Sequence, residues 1–199
     1  MSGNFEALPG GGAAVSLDEV EVSILRSLAV QLLELIGPGD EPAEGEDPLA
    51  ALFQDGPSEP PSDPALARLF PDAYGEPGAE AADEDPELRA ASAEFRRFTE
   101  NDLRSRKRQD ALAVVRSLDG LVRDGRAGGR LELTPEQSRH WLGALNDLRL
   151  TIGTRLDVTD EDESSGLYRL PDSDPRKPMV MAYLWLGILQ ETLVETLIS

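Results

Sequence analysis

The sequence predicts a mainly α protein: a helical bundle around a central C-terminal helix, with a small antiparallel β element made of an N-terminal hairpin and a short strand near residues 130–133. Three observations predict it. Apolar residues recur at helical spacing in the stretches after residues 16, 86, 134 and 178. Capping and stop residues bracket these stretches. Two short apolar runs, each just before a cap, read as strands.

At the N-terminus, "NFEALPGGGAAVSL" gives two short strands around a turn at Gly10 to Gly12. Ser16 is the expected N-cap of the first helix, with Glu19 three residues on completing a capping box. That helix carries Val20, Ile24, Leu25, Leu28, Leu32, Leu35 and Ile36, and Gly37 and Pro38 stop it. From Gly37 to Glu87 the composition changes. Ten of the fifteen prolines and fifteen acidic residues lie here against one base, Arg68, so the segment cannot bury enough apolar surface to offset its ordering entropy. The chain therefore reads as one domain, 1–199, holding an acidic, Pro-rich mobile insertion at 37–87. "PLAALF" and "DPALARLFPDAY" are apolar islands in it. In the second, Asp63 caps, Pro64 opens a short helix, and Leu66, Leu69 and Phe70 dock on the core.

"DPELRAASAEFRRF" resumes helix. Thr99 and Asp102 look like a new cap, and the apolar spacing slips between Phe98 and Leu103, which predicts a kink or break. The following helix turns Leu103, Ala111, Val114, Val115, Leu118 and Leu121 inward. Arg130 to Leu133 is a strand that can pair with the N-terminal hairpin. Thr134, Pro135 and Gln137 then start a helix whose inner face is Trp141, Leu145, Leu148, Ile152 and Leu156. Gly143 and Gly153 in this helix point to close backbone approach by a neighbour. "TDEDESSG" and "LPDSDPRKP" form a long acidic loop before the last helix, Met179 to about Ile198. That helix is apolar nearly all round at its start, hence its expected central place.

Composition narrows the function. The net charge of -19 and pI of about 4.3 argue against generic binding to nucleic acid or anionic membrane. The sequence has no cysteine, so disulfides, thiolate metal sites and cysteine nucleophiles are absent from it. One histidine, His140, rules out a multi-histidine metal site and reads as a structural residue beside Trp141. The N-terminus has no basic or apolar leader pattern, and "MVMAYLWLGIL" is too short to span a bilayer; a cytoplasmic protein without membrane contact is expected. Tyr168, Tyr183 and Trp185 read as core or core-edge aromatics, and Asp160 to Glu163 lacks the pattern of a calcium loop. No catalytic constellation, metal site or cofactor motif is present, so the reading is a non-enzymatic interaction protein with no cofactor.

Two stretches remain as candidate sites. Arg96, Arg97, Arg104, Arg106, Lys107 and Arg108 concentrate positive charge, within a segment (88–130) of eleven bases and six acids. This stretch is the candidate for contact with phosphate or with an acidic partner; DNA would be met only locally, through it. Asn146, Asp147, Arg149 and Arg155, with Thr151, form a polar helix face, read as mostly solvated, with Asp147 and Arg155 in local pairs and a partner-binding role as the alternative.

"DPALARLFPDAY", "AEFRRFTENDLRSRKRQDA", "LNDLRLTIGTRLDVTDEDE" and "MAYLWLGILQETLV", in that order, resemble an actinobacterial family long labelled a domain of unknown function and now named for AosR, an oxidative-stress transcriptional regulator. The resemblance implies a role in transcription under oxidative stress through a sigma factor or RNA polymerase. The family's usual gene neighbour, the ClpS adaptor, implies an alternative as an accessory to Clp proteolysis. A homodimer is left open. The resemblance also implies redox sensing by a cysteine disulfide, and a chain without cysteine lacks that switch. Methionine is a weak substitute, because Met179 and Met181 fall in the expected core helix.

Overall fold

A computed structural model describes residues 3–38, 56–75, 85–123, 128–158 and 170–198. About half of the acidic segment 37–87, with the island "PLAALF", and also the acid run at 160–163 and Tyr168, lie outside these residues. The described chain is mainly α with a small sheet, in the order β1 (Glu6–Ala7), β2 (Ala13–Leu17), α1 (Glu19–Ile36), α2 (Pro64–Leu69), α3 (Pro86–Arg123), β3 (Gly129–Leu133), α4 (Pro135–Arg155) and α5 (Lys177–Ile198).

The sheet is antiparallel in the order β1-β2-β3, so β3 does pair with the hairpin, with Ala13 opposite Leu133 and Leu17 opposite Gly129. Gly12 has φ 96° and its α-carbon faces the carbonyl of Leu133, leaving no room for a side chain. Val15, Leu17, Leu131 and Leu133 turn into the core, and Phe5 packs edge-on against Trp141 at 5.9 Å between ring centroids.

The first cap falls two residues later than expected. Ser16 is exposed and belongs to β2; Asp18 is the N-cap, bonded to the Glu21 amide while Glu21 returns a bond to the Asp18 amide. The strand register decides this, because Leu17 must still face the core. A cap of this kind contributes about 1 kcal/mol. Val22, Leu25, Ala29, Leu32 and Ile36 are the buried stripe, and Val20 is exposed. Asp63 and Pro64 start α2 as expected, and α2 docks on α4 with Leu69 and Phe70 fully covered.

The expected break at Thr99 is absent. α3 runs 38 residues without interruption, about 57 Å at 1.5 Å per residue. Thr99 bonds back to the carbonyl of Phe95 instead of capping a new helix. The apolar slip has another cause. The inner stripe continues at helical spacing through Arg96, Glu100, Lys107, Ala111, Val114 and Leu118, so its first half is charged, while Phe95 and Phe98 face outward.

α4, not the C-terminal helix, is the hub: α1, α2, α3, α5 and β3 all pack on it. Small residues let the neighbours close in. The Asp110 carboxylate fills the space a side chain at Gly143 would need, and the Tyr183 ring lies 3.3 Å from the corresponding point at Gly153. Trp141 is fully buried, its indole N–H donating to Ser117 Oγ at 3.3 Å. α5 covers α4 with Trp185, Leu186, Leu189 and Leu193, and leaves Met179, Met181 and Ile188 more than 40% exposed. Its all-round apolarity therefore marks an outer helix with an open apolar flank. No helix among the described residues is long and apolar enough to cross a membrane.

Candidate functional site

The basic stretch folds largely into the molecule. Arg96 is 4% exposed, and its guanidinium donates to the Phe70 carbonyl at 3.0 Å, to Asp72 at 2.9 Å and to Glu100. Burial opposes its charge, but Asp72 and Glu100 outweigh that and hold it above the usual arginine range. Glu100, also buried, takes a second bond from Arg104 at 2.6 Å. Arg104 lies over the Phe70 ring and donates to the Ile36 carbonyl, and Arg108 donates to the Gly37 carbonyl. α1 has no basic residue in its own last turn, so these two arginines from α3 satisfy its C-terminal carbonyls and complement its dipole. Arg96, Arg104 and Arg108 thus clamp the ends of α1 and α2 onto α3.

Lys107 belongs to a second cluster. Its ammonium donates to Asp147 at 2.6 Å, with side-chain exposures of 14% and 3%. Burial pushes the Asp147 carboxyl above its ordinary value; the bond from Lys107 pulls it back only in part, and Asp110 adds to the rise. Asp147 and Thr151, read from sequence as solvated, are therefore buried, and Asp147 pairs across to α3, not locally. Asn146 accepts from Gln190 at 3.4 Å; Arg149 donates to Gln190 at 2.7 Å and lies over the Tyr183 ring. Arg155 is exposed at the end of α4 and has no partner among the described residues.

Two members of the basic stretch point outward. Arg97 is exposed, its guanidinium 4.7 Å from the centre of the Phe98 ring. Arg106 is exposed on the wall of an open cleft of about 1030 Å³ between α3, α4 and α5. Arg139 and His140 stand on the opposite wall. Asp110 meets His140 Nδ1 at 2.7 Å and fixes the ring. The cleft also carries Asp102 and Glu136, so its charge is mixed.

Beyond the cleft, the outer face of α3 is aromatic. Phe95 and Phe98 are 47% and 61% exposed, and Tyr74 packs edge-on against Phe95 at 6.1 Å. Tyr74 is fixed there because the buried Ser92 hydroxyl bonds both its amide, at 3.1 Å, and its carbonyl, at 3.0 Å. Sequence reading missed this surface. The signal was available: Arg96, Glu100, Arg104 and Arg108 repeat every four residues, which puts all four on one side of the helix and Phe95 and Phe98 on the other.

Among the described residues no cluster of three or more potential metal ligands occurs. A family described as "Domain of unknown function (DUF2017)" matches residues 2–197. The chain is 32% identical over 190 residues to proteins named oxidative stress regulator AosR in Mycobacterium bovis and Mycobacterium tuberculosis, covering 92% of this chain and 81% of each relative. A relative in Mycobacterium leprae is 30% identical over 186 residues, covering 90% of this chain and 79% of its own. No solved structure matches. Matched over nearly its whole length, the chain belongs to the AosR (DUF2017) family.

Proposed function

We propose that the chain is a non-enzymatic, cytoplasmic regulator of the oxidative-stress response, acting on transcription through a sigma factor or RNA polymerase. The observation that carries this reading is the match, over about nine-tenths of the chain, to relatives named as oxidative stress regulators. A protein partner is favoured over DNA on physical grounds. A net charge of -19 repels phosphate, and of the six clustered cations only Arg97 and Arg106 are turned outward. Tight duplex binding uses many phosphate contacts, each releasing counterions, and two outward arginines do not supply them. Thiol sensing is unavailable to a sequence without cysteine, so the response reaches this chain by another route.

Transcript profiling of a deletion strain before and after peroxide tests the role. Loss of induction in a defined gene set, restored by the wild-type gene, supports it. An unchanged transcript profile together with slower turnover of Clp substrates overturns it in favour of an accessory role in proteolysis.

A further inference from the structure

We propose that the outer face of the first half of α3, built on Tyr74, Phe95 and Phe98, docks a basic amphipathic segment of a protein partner. The inference deepens the reading above, because it rests on the chain working through a protein, and it reverses the partner charge that the sequence suggests.

The charge pattern carries the argument. Sequence concentrates arginine and lysine between residues 96 and 108, which points to an acidic partner. The fold turns most of that charge inward: Arg96, Arg104, Lys107 and Arg108 all bond to groups inside the molecule. What α3 presents outward is the complement. Leu88, Phe95 and Phe98 share a face with seven- and three-residue spacing, and each is more than 40% exposed. Glu87, Glu94 and Asp102 are exposed on the same side, and their carboxylates have no partner among the described residues. Arg97 lies over Phe98 and Arg106 marks the far end, so the face is apolar, with three carboxylates and two arginines along its border.

The platform is rigid. It sits on a continuous helix, and Ser92 holds Tyr74 against Phe95 through both its amide and its carbonyl. Exposed aromatic side chains on a rigid element are what interface hot spots are made of. A partner segment with apolar residues on one side and lysine or arginine beside them fits both features, with attraction reinforced by the net charge of -19. A second copy of this chain fits less well, since it brings the same negative charge.

The experiment uses the full chain and a fluorescein-labelled, 18-residue Leu/Lys amphipathic peptide followed by anisotropy. Saturable binding is expected, weakened at least tenfold by F95A/F98A and several-fold by E87Q/E94Q/D102N. Those substitutions are on the surface, so the urea midpoint of each variant should match wild type, which separates loss of binding from loss of fold. A Leu/Glu peptide of the same length should not bind. Absence of binding, or binding that F95A/F98A leaves unchanged, overturns the proposal; the second result means that the peptide senses only the overall charge. A concentration-dependent dimer that F95A/F98A abolishes also overturns it and assigns the face to a second copy. The peptide assay needs no transcription factor, so the transcription reading can fail while the docking face stands, and the reverse.

Discussion

Replacing Lys107 with methionine should cost far more than a surface lysine does, and the cost should grow with pH. The Lys107–Asp147 pair is 2.6 Å long and lies between α3 and α4, where Asp147 is 3% exposed. Removing the lysine leaves a buried carboxylate without its cation, a change worth about 3–5 kcal/mol. That is a large share of the about 5–15 kcal/mol that stabilises a typical domain. The pH dependence follows from linkage. Burial already places the folded Asp147 above its ordinary value of 3.8, so the folded state holds its proton longer than the unfolded state does. Its contribution to stability therefore falls as pH rises from the unfolded value through the folded one. Lys107 limits that rise, and K107M removes the limit, so the folded value climbs and the window extends upward. Urea unfolding followed by circular dichroism should show the full loss at pH 8 and a loss that shrinks toward about 1–2 kcal/mol as the pH is lowered and the carboxyl takes up its proton, when only the bond and its packing are missing. The double variant K107M/D147L should recover most of the stability, since an apolar pair of similar size removes the buried charge altogether. A loss below about 1 kcal/mol for K107M, equal at both pH values, would mean that water screens the pair.

Other substitutions test separate parts of the structure. R96A should destabilise the fold by about 3–5 kcal/mol, because Glu100 stays buried with one cation fewer; hydrogen exchange should show the loss first in residues 56–75, which Arg96 holds through Phe70 and Asp72. D18A should cost about 1 kcal/mol in thermal or urea unfolding while S16A stays within about 0.5, since Asp18 is the cap and Ser16 is exposed strand; the opposite order would restore the cap at Ser16. G143A should destabilise more than G153A, because the first overlaps an oxygen of the buried Asp110 carboxylate and the second meets a Tyr183 ring at a tight 3.3 Å. Mild hypochlorite should add one oxygen each to Met179 and Met181 in the folded protein, both being about two-fifths exposed and no cysteine competing; peptide mass mapping that finds them unmodified until the chain unfolds would contradict that exposure.

Much of the fold was legible because local signals and burial agreed. Thr134, Pro135 and Gln137 announced α4, Asp63 and Pro64 announced α2, and the short run "RLEL" just before the Thr134 cap announced the third strand. The cap at Asp18 follows from strand register, but the break in α3 and the burial of Asp147 share another cause: apolar periodicity alone does not mark an inner face. In α3 the inner face between residues 92 and 107 is Ser92, Arg96, Glu100 and Lys107, made tolerable by ion pairs and carbonyl acceptors that come from elsewhere in the chain. A helix lined that way reads as broken when only its leucines and phenylalanines are followed. The same blind spot hid the burial of Asp147, whose partner lies 40 residues away. α5 erred the other way. Its apolar circumference suggested a centre, but the small residues Gly143, Ala144 and Gly153 that admit neighbours belong to α4. The aromatic platform became visible only when Phe95 and Phe98 were placed opposite the charged stripe, and Tyr74 joined it through a contact 21 residues away in sequence.

The most direct test of a regulator working through a protein partner is affinity capture with the full chain from native cytoplasm, at low and moderate salt, with the captured proteins identified by mass spectrometry and F95A/F98A as the matched control. Sigma factor or polymerase subunits held by the wild-type chain and depleted with the variant are the expected result. Capture of ClpS or the Clp unfoldase without any transcription component, equal for both chains, would contradict both the transcription role and the docking face.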